Sequence, residues 1–280
     1  MNRLTTKRRG QVIACLVEGM SIRSTVRVTG VAKNTISRFL LDLGDACAQY
    51  QDATLRNLST TRLEVDEIWE FVYAKAENVP IKHENDFGYG DVWTWVAIDA
   101  DSKLVPTWLV GSRDSADCYT FLADLKTRLK NRVQLTSDGY APYLRVVEPL
   151  FGADAVDFAQ LVKACGTANE DHRYSPAECT GIEKRTVTGA PDESLISTSY
   201  VERQNLTMRM RMRRFTRLTN AFSKKVENHT AAVSLHFMHY NFGRVHQTLT
   251  KQYGKKTTPA MAAGVARHPW SYSQIAGLLD

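Results

Sequence analysis

Three acidic residues occupy positions where a carboxylate needs a reason. Asp66 interrupts an apolar run in LEVDEIW, Asp138 closes another in QLTSDGY ahead of a glycine, and Glu202 stands in TSYVERQN, near a helix start that Ser199 could cap. Taken singly, each has an ordinary explanation: an aspartate at a strand end often serves a turn, and a glutamate in a first helical turn serves the helix dipole. Brought together, three carboxylates repel one another unless cations neutralise them. Hard divalent ions with oxygen ligands, such as Mg2+, do so. Two ions roughly 4 Å apart can activate a water or a 3′ hydroxyl and stabilise the leaving oxygen of an in-line phosphodiester displacement. Glu64, Glu67 and Asp99 compete for the same role; on an extended strand Glu64 shares a face with Asp66, and Glu67 takes the other.

The elements that must position these acids are legible as changes of period. Strands are expected over 63–68, 92–99 and 104–110, an antiparallel meander with a turn-rich segment over 78–91. Asp114 or Ser115 caps a helix whose inner face holds Cys118, Phe121, Leu122, Leu125 and Leu129. A strand over 133–137, a short helix around 142–147 and a fifth strand over 156–162 follow. This order predicts an α/β fold, a mixed sheet with flanking helices, and it resembles the ribonuclease H fold. If the strand ending at Asp138 lies parallel to the one holding Asp66, the two aspartates meet at the sheet surface, and a packed helix can bring Glu202 to them. Residues 167–198 read as an inserted loop or hairpin, which leaves Glu170 and Glu183 as alternatives to Glu202.

In front of the sheet the period is helical. Val12, Ile13, Leu16 and Val17 share a face, Ser21 caps a short helix after Gly19, and Thr29 and Gly30 break before a helix over 33–41 with Ile36, Phe39 and Leu40 inside. Helix, short helix, glycine turn and helix form a small all-α helix-turn-helix module, with 42–60 as a helical or extended linker. The first residues of the last helix in such a module enter the major groove, so Lys33, Asn34, Thr35, Ser37 and Arg38 are the candidate DNA contacts.

The chain has 280 residues and a formal net charge of +6, with 43% hydrophobic residues, which excludes collagenous, disordered and disulfide-stapled classes. Counted by segment the charge is +5 over 1–60, −7 over 61–160 and +8 over 161–280. Basic flanks around an acidic centre suit a chain that grips a polyanion at its flanks and gathers carboxylates between them. No apolar run reaches the roughly 18 residues that span a bilayer, so the expected location is cytoplasmic, on the nucleoid, with no membrane partner. Five cysteines without a CxxC pair fit reduced thiols; Cys165, His172 and Cys179 lack the fourth ligand and tight pair of a zinc site.

The last third carries no acid from 203 to 226 but holds Arg203, Arg209, Arg211, Arg213, Arg214 and Arg217, then Lys224 and Lys225. On one continuous helix Arg209 and Arg213 fall on the face of Glu202. Such a run beside a metal site is expected to hold the DNA backbone, with Asn205 and Gln204 also reaching nucleotides. A helix over 223–241 carries His229, His236 and His239, with packing and hydrogen bonding expected for the last two rather than zinc.

VDEIW, TSDGY and YVERQN, followed by MRMRRFTRLTNAFSKK, HYNFGRVHQTL and TPAMAAG, resemble the DDE transposases of small bacterial insertion sequences from about residue 60 onward. The resemblance implies a ribonuclease H-like catalytic domain over 59–250, a helix-turn-helix domain over 1–58 and a tail over 251–280. It places Mg2+ or Mn2+, two ions, on Asp66, Asp138 and Glu202, and phosphate contacts on Arg244 and His246. The implied activity is binding of terminal repeats, metal-dependent DNA cleavage and strand transfer, by at least a dimer that synapses two ends, with no small-molecule substrate. Two other readings share these residues: a DNA-binding regulator with a vestigial catalytic domain, and a ribonuclease H-like nuclease or resolvase.

Overall fold

The computed structural model describes residues 4–165, 179–216 and 219–280. Glu170, His172 and Arg217 lie outside them, as does the side chain of Cys165.

Six strands, β1 (Arg62–Val72), β2 (Gly90–Asp99), β3 (Trp108–Gly111), β4 (Val133–Ser137), β5 (Val156–Cys165) and β6 (Cys179–Thr188), form one sheet in the order β3-β2-β1-β4-β5-β6. β1, β2 and β3 pair antiparallel, β1, β4 and β5 parallel, and β6 returns antiparallel to β5. The first five are in ribonuclease H order, and β6 is an added edge, so the segment read as an insertion contributes a strand. Alternation along β1 sets the two layers. Leu63 and Val65 enter a core with Trp95, Phe121, Leu125, Tyr143 and Phe158 under helices α4 (Ser115–Arg128) and α5 (Ala141–Phe151). Ile68 joins Val96, Met208, Phe215 and Phe237 on the opposite face, under α6 (Ser199–Arg211) and α7 (Val226–Met238). Asp114 caps α4, its Oδ1 accepting from the N–H groups of Ala116 and Asp117 at 2.9 Å each.

The third expected strand is shorter than its apolar run, because Val105 does not pair with β2. Its N–H donates to Asn241 Oδ1 at 3.0 Å and its carbonyl accepts from Asn241 Nδ2 at 2.9 Å. Asn241 belongs to a π-helical turn, His239–Gly243, which ends the expected single helix over 223–241 early.

The N-terminal module holds α1 (Thr6–Val17), α2 (Ile22–Thr29) and α3 (Lys33–Thr54). Ser21 Oγ accepts from Ser24 N–H at 3.0 Å, and Gly30 closes α2 in the left-handed region at φ +68°. Over 42–60 the helical of the two expected linker forms is found: α3 runs on to Thr54 because Leu43, Cys47 and Gln51 continue its buried stripe. Gly44 lies so close to α7 that an added Cβ would sit 2.5 Å from Ala231 Cα. One core cluster joins Val12, Ile13, Ile36 and Leu40 to Leu235 and Met238, and to Ala260, Ile275 and Ala276 of the C-terminal helices α8 (Pro259–Ala262) and α9 (Tyr272–Ala276). No helix among the described residues is long and apolar enough to cross a membrane.

Candidate active site

Parallel register brings the aspartates together. Val65 on β1 is level with Ser137 on β4, so Asp66 and Asp138, one residue further along each chain, stand side by side where β4 ends. Oxygens of Asp66, Glu67 and Asp138 all lie within 4.8 Å of one another. Asp66 Oδ1 accepts from the N–H of Glu67 at 2.8 Å and Oδ2 from Asn205 Nδ2 at 2.8 Å. Asp138 Oδ1 accepts from the N–H of Tyr140 at 3.0 Å. Burial first, then the carboxylates of Glu67 and Asp138, push Asp66 up to about 7.

Glu67 is close to this pair but already committed. It points to the opposite face, as alternation requires, where Oε1 accepts from Arg113 at 2.7 Å and Oε2 from the Tyr143 hydroxyl at 3.1 Å. The Arg113 guanidinium lies over Trp93 and Tyr140, 4.6 and 4.1 Å from their ring centroids.

Glu202 reaches the same cleft from the other side. Thr198 rather than Ser199 is the N-cap of α6, and its hydroxyl donates to Glu202 Oε1 at 2.6 Å. The capping acceptor comes from the sheet: Glu64 Oε2 accepts from the N–H groups of Tyr200 and Val201 at 2.7 and 3.0 Å. A buried carboxylate on β1 thus ties the first turn of α6 to the strand carrying Asp66. Glu202 Oε1 also accepts from Lys163 Nζ, and Glu202 is not part of the close oxygen group formed by Asp66, Glu67 and Asp138. Asp66, Asp138, Lys163, Thr198 and Glu202 line one open cleft of about 420 Å3. Asp66, Asp138 and Glu202 offer carboxylate oxygen alone, a donor set that fits Mg2+ or Mn2+ and not a soft metal.

The other candidates fall in two regions. Lys33, Asn34, Thr35 and Arg38 are exposed on the first turns of α3, with Ser37 half-buried. Beside Glu202, Arg203 is exposed, whereas Asn205 is buried with its amide on Asp66, a position that holds the carboxylate rather than facing solvent. Arg213 does not share the helical face of Glu202: α6 stops at Arg211, Met212 turns extended at φ −114°, and Arg213 opens a 3-10 turn that buries Phe215. Arg209 is half-buried and reaches the carbonyl of Phe215 at 3.5 Å. Arg211 pairs with Glu18 at the end of α1. Arg244 and His246 are half-buried, and burial lowers both pKa values. Burial likewise pushes His229 and His236 down to about 3 and His239 to about 4, so the three are neutral packing groups.

Sequence reasoning missed the roles of Glu64, Asn205 and Lys163. Glu64 gave one signal, its place two residues before Asp66 on the same strand face. Asn205 and Lys163 had none, because their partners come from distant segments.

No family model matches the chain. The insertion element iso-IS1n protein InsB of Shigella dysenteriae is 27% identical over 170 residues, covering 61% of this chain and 88% of that protein. Among solved structures, the piggyBac transposase synaptic complex with hairpin DNA aligns over 99% of this chain and 71% of that one, at 12% identity and a TM-score of 0.43. The Mos1 transposase paired-end complex with left transposon end aligns over 56% of this chain and 60% of that one, at 13% identity and a TM-score of 0.26. At those scores the architecture rests on the strand order itself. The sequence relationship to an insertion-element protein, on a sheet of ribonuclease H order, supports a transposase.

Proposed function

We propose that the chain is an insertion-element transposase that cleaves DNA at the element's ends and joins the 3′ ends to a target by in-line phosphodiester displacement. The observation that carries this reading is the meeting of Asp66 and Asp138 at the ends of parallel strands, in a cleft that Glu202 enters from α6. Asp66, Asp138 and Glu202 would hold Mg2+ or Mn2+, two ions in this reading, which when bound would activate the attacking hydroxyl and neutralise charge at the phosphate. The chain's own groups prepare that set: the Glu67 N–H and the Asn205 amide fix both oxygens of Asp66, and Glu64 anchors the helix that presents Glu202. Arg203, exposed beside Glu202, contacts the DNA backbone, and Arg209, Arg213, Arg244 and His246 extend that contact. The first turns of α3 read the terminal repeats as the recognition helix of a helix-turn-helix, and at least two copies synapse the ends.

Asp66→Asn, Asp138→Asn and Glu202→Gln should each lower metal-dependent cleavage of end-bearing DNA by roughly 10²-fold or more, with end binding retained in a mobility-shift assay. Full activity in any one removes that residue from the site. Joined products with a target plasmid distinguish a transposase from a nuclease or resolvase, and complete absence of metal-dependent cleavage leaves the regulator reading.

A further inference from the structure

Glu202 is the acid of the set that already holds a cation. Its Oε1 accepts from the ammonium of Lys163, with the Thr198 hydroxyl on the same oxygen. Lys163 is not a stray surface residue that happens to lie near. On β5 it follows Ala159 and Leu161 on one strand face, and those two form a small core with Ile196, just ahead of α6. Gln160 is level with Ser137, the last residue of β4, so β5 carries Lys163 three residues past that end. The Lys163 side chain is 39% exposed and lines the cleft that Asp66, Asp138 and Glu202 share.

We propose that Lys163 is a placeholder counter-ion: it neutralises Glu202 while the cleft is metal-free, yields that carboxylate to the divalent ions, and then pairs with a phosphate of the bound DNA. The inference rests on the transposase reading and deepens it. Three carboxylates facing one cleft are costly without positive charge, and an ammonium on a flexible stem supplies it reversibly. A divalent ion that binds Glu202 competes with that ammonium for the charge of the same carboxylate. The freed ammonium remains at the lip of a cleft where a polyanion is to be seated, so the same charge serves the next occupant. Binding of metal and then of DNA therefore becomes an exchange of partners in which Lys163 is never left without an anion.

Mn2+ binding to the full chain without DNA, read as loss of the free-ion paramagnetic resonance signal, separates the inference from the reading beneath it. Wild type should bind Mn2+ and Asp138→Asn should not; failure of that comparison sinks the metal site, and the exchange with it. With the site intact, Lys163→Met should bind Mn2+ about three- to fivefold more tightly than wild type, the range expected for removing a competing partly exposed ion pair. Lys163→Arg, which keeps the charge, should restore wild-type affinity. Unchanged or weaker Mn2+ binding by Lys163→Met overturns the placeholder role. In the same variant, with Mn2+ saturating, the slope of log K against log salt for end DNA should fall by about one. An unchanged slope overturns the phosphate contact.

Discussion

Asp66 is where the candidate site stores its electrostatic cost. Its ordinary pKa of 3.8 rises to about 7, through burial first and neighbouring carboxylates second. Between those values the folded chain keeps a proton that the unfolded chain has released, so this residue's contribution to stability is full below about 4 and is lost as the pH rises to about 7. The buried histidines act in the opposite sense: with pKa values of about 3 to 4 against an ordinary 6.5, they cost stability as the pH falls below 6.5. A difference measurement isolates Asp66. In thermal melts of metal-free protein near pH 8, Asp66→Asn should exceed wild type in Tm by about 2–4 °C, the equivalent of roughly 1 kcal/mol in a chain of this order of size, and the gap should close near pH 5. A wild-type Tm equal to or above that of the variant at high pH would show that Asp66 carries no such cost. Saturating Mg2+ should raise the wild-type Tm and not that of the variant.

At the scale of elements, α3 has two jobs along its length. Its first turns expose Lys33, Asn34, Thr35 and Arg38, while its later turns pack against α7. Arg38→Ala and Asn34→Ala should each weaken binding to terminal-repeat DNA by about 1–3 kcal/mol and relax sequence preference. An equal loss on unrelated DNA would mean phosphate contact only. The second job depends on Gly44, whose missing Cβ leaves room for Ala231, with Ala231 Cα 2.5 Å from where that carbon would sit and Ala231 O at 2.8 Å. Helix propensity alone favours Gly44→Ala by about 1 kcal/mol. The close crossing reverses the sign, and a net loss of about 1–3 kcal/mol should appear as a lower urea midpoint. A stabilised variant would mean that the two helices separate at little cost.

Over the whole molecule, the N-terminal helices share a core with the C-terminal segment. Arg9 donates to Asp280 Oδ1 at 2.8 Å and to the carbonyl of Ala276 at 3.3 Å, and Ile275 and Ala276 bury against the same cluster as Val12 and Ile13. Glu18 at the end of α1 pairs with Arg211 at the end of α6, so the proposed DNA-reading module touches the helix that carries Glu202. Deleting residues 251–280 should therefore loosen α1 to α3 before the sheet. Hydrogen exchange would show protection falling first in residues 6–54, with β1 and β4 still protected. Unaltered protection in those helices would mean that the module folds without its C-terminal cover.

The strand pattern and the three N-terminal helices were legible because each rests on local signals, period and caps, and Asp66 and Asp138 stood out as carboxylates in or closing apolar runs, whereas Glu202 was singled out by the resemblance of its motif. The exact span of β4 and the Ser21 cap follow from residues within a turn of one another. What the sequence could not carry is pairing between distant segments. Val105 leaves the sheet for Asn241, α3 continues because α7 covers it, Glu64 caps α6 from 136 residues away, and Lys163 takes Glu202 from 39 residues away. None of these partners is specified by spacing along the chain. The tertiary structure decided them, because a buried polar group or an apolar stripe takes whichever partner the packed sheet brings within reach.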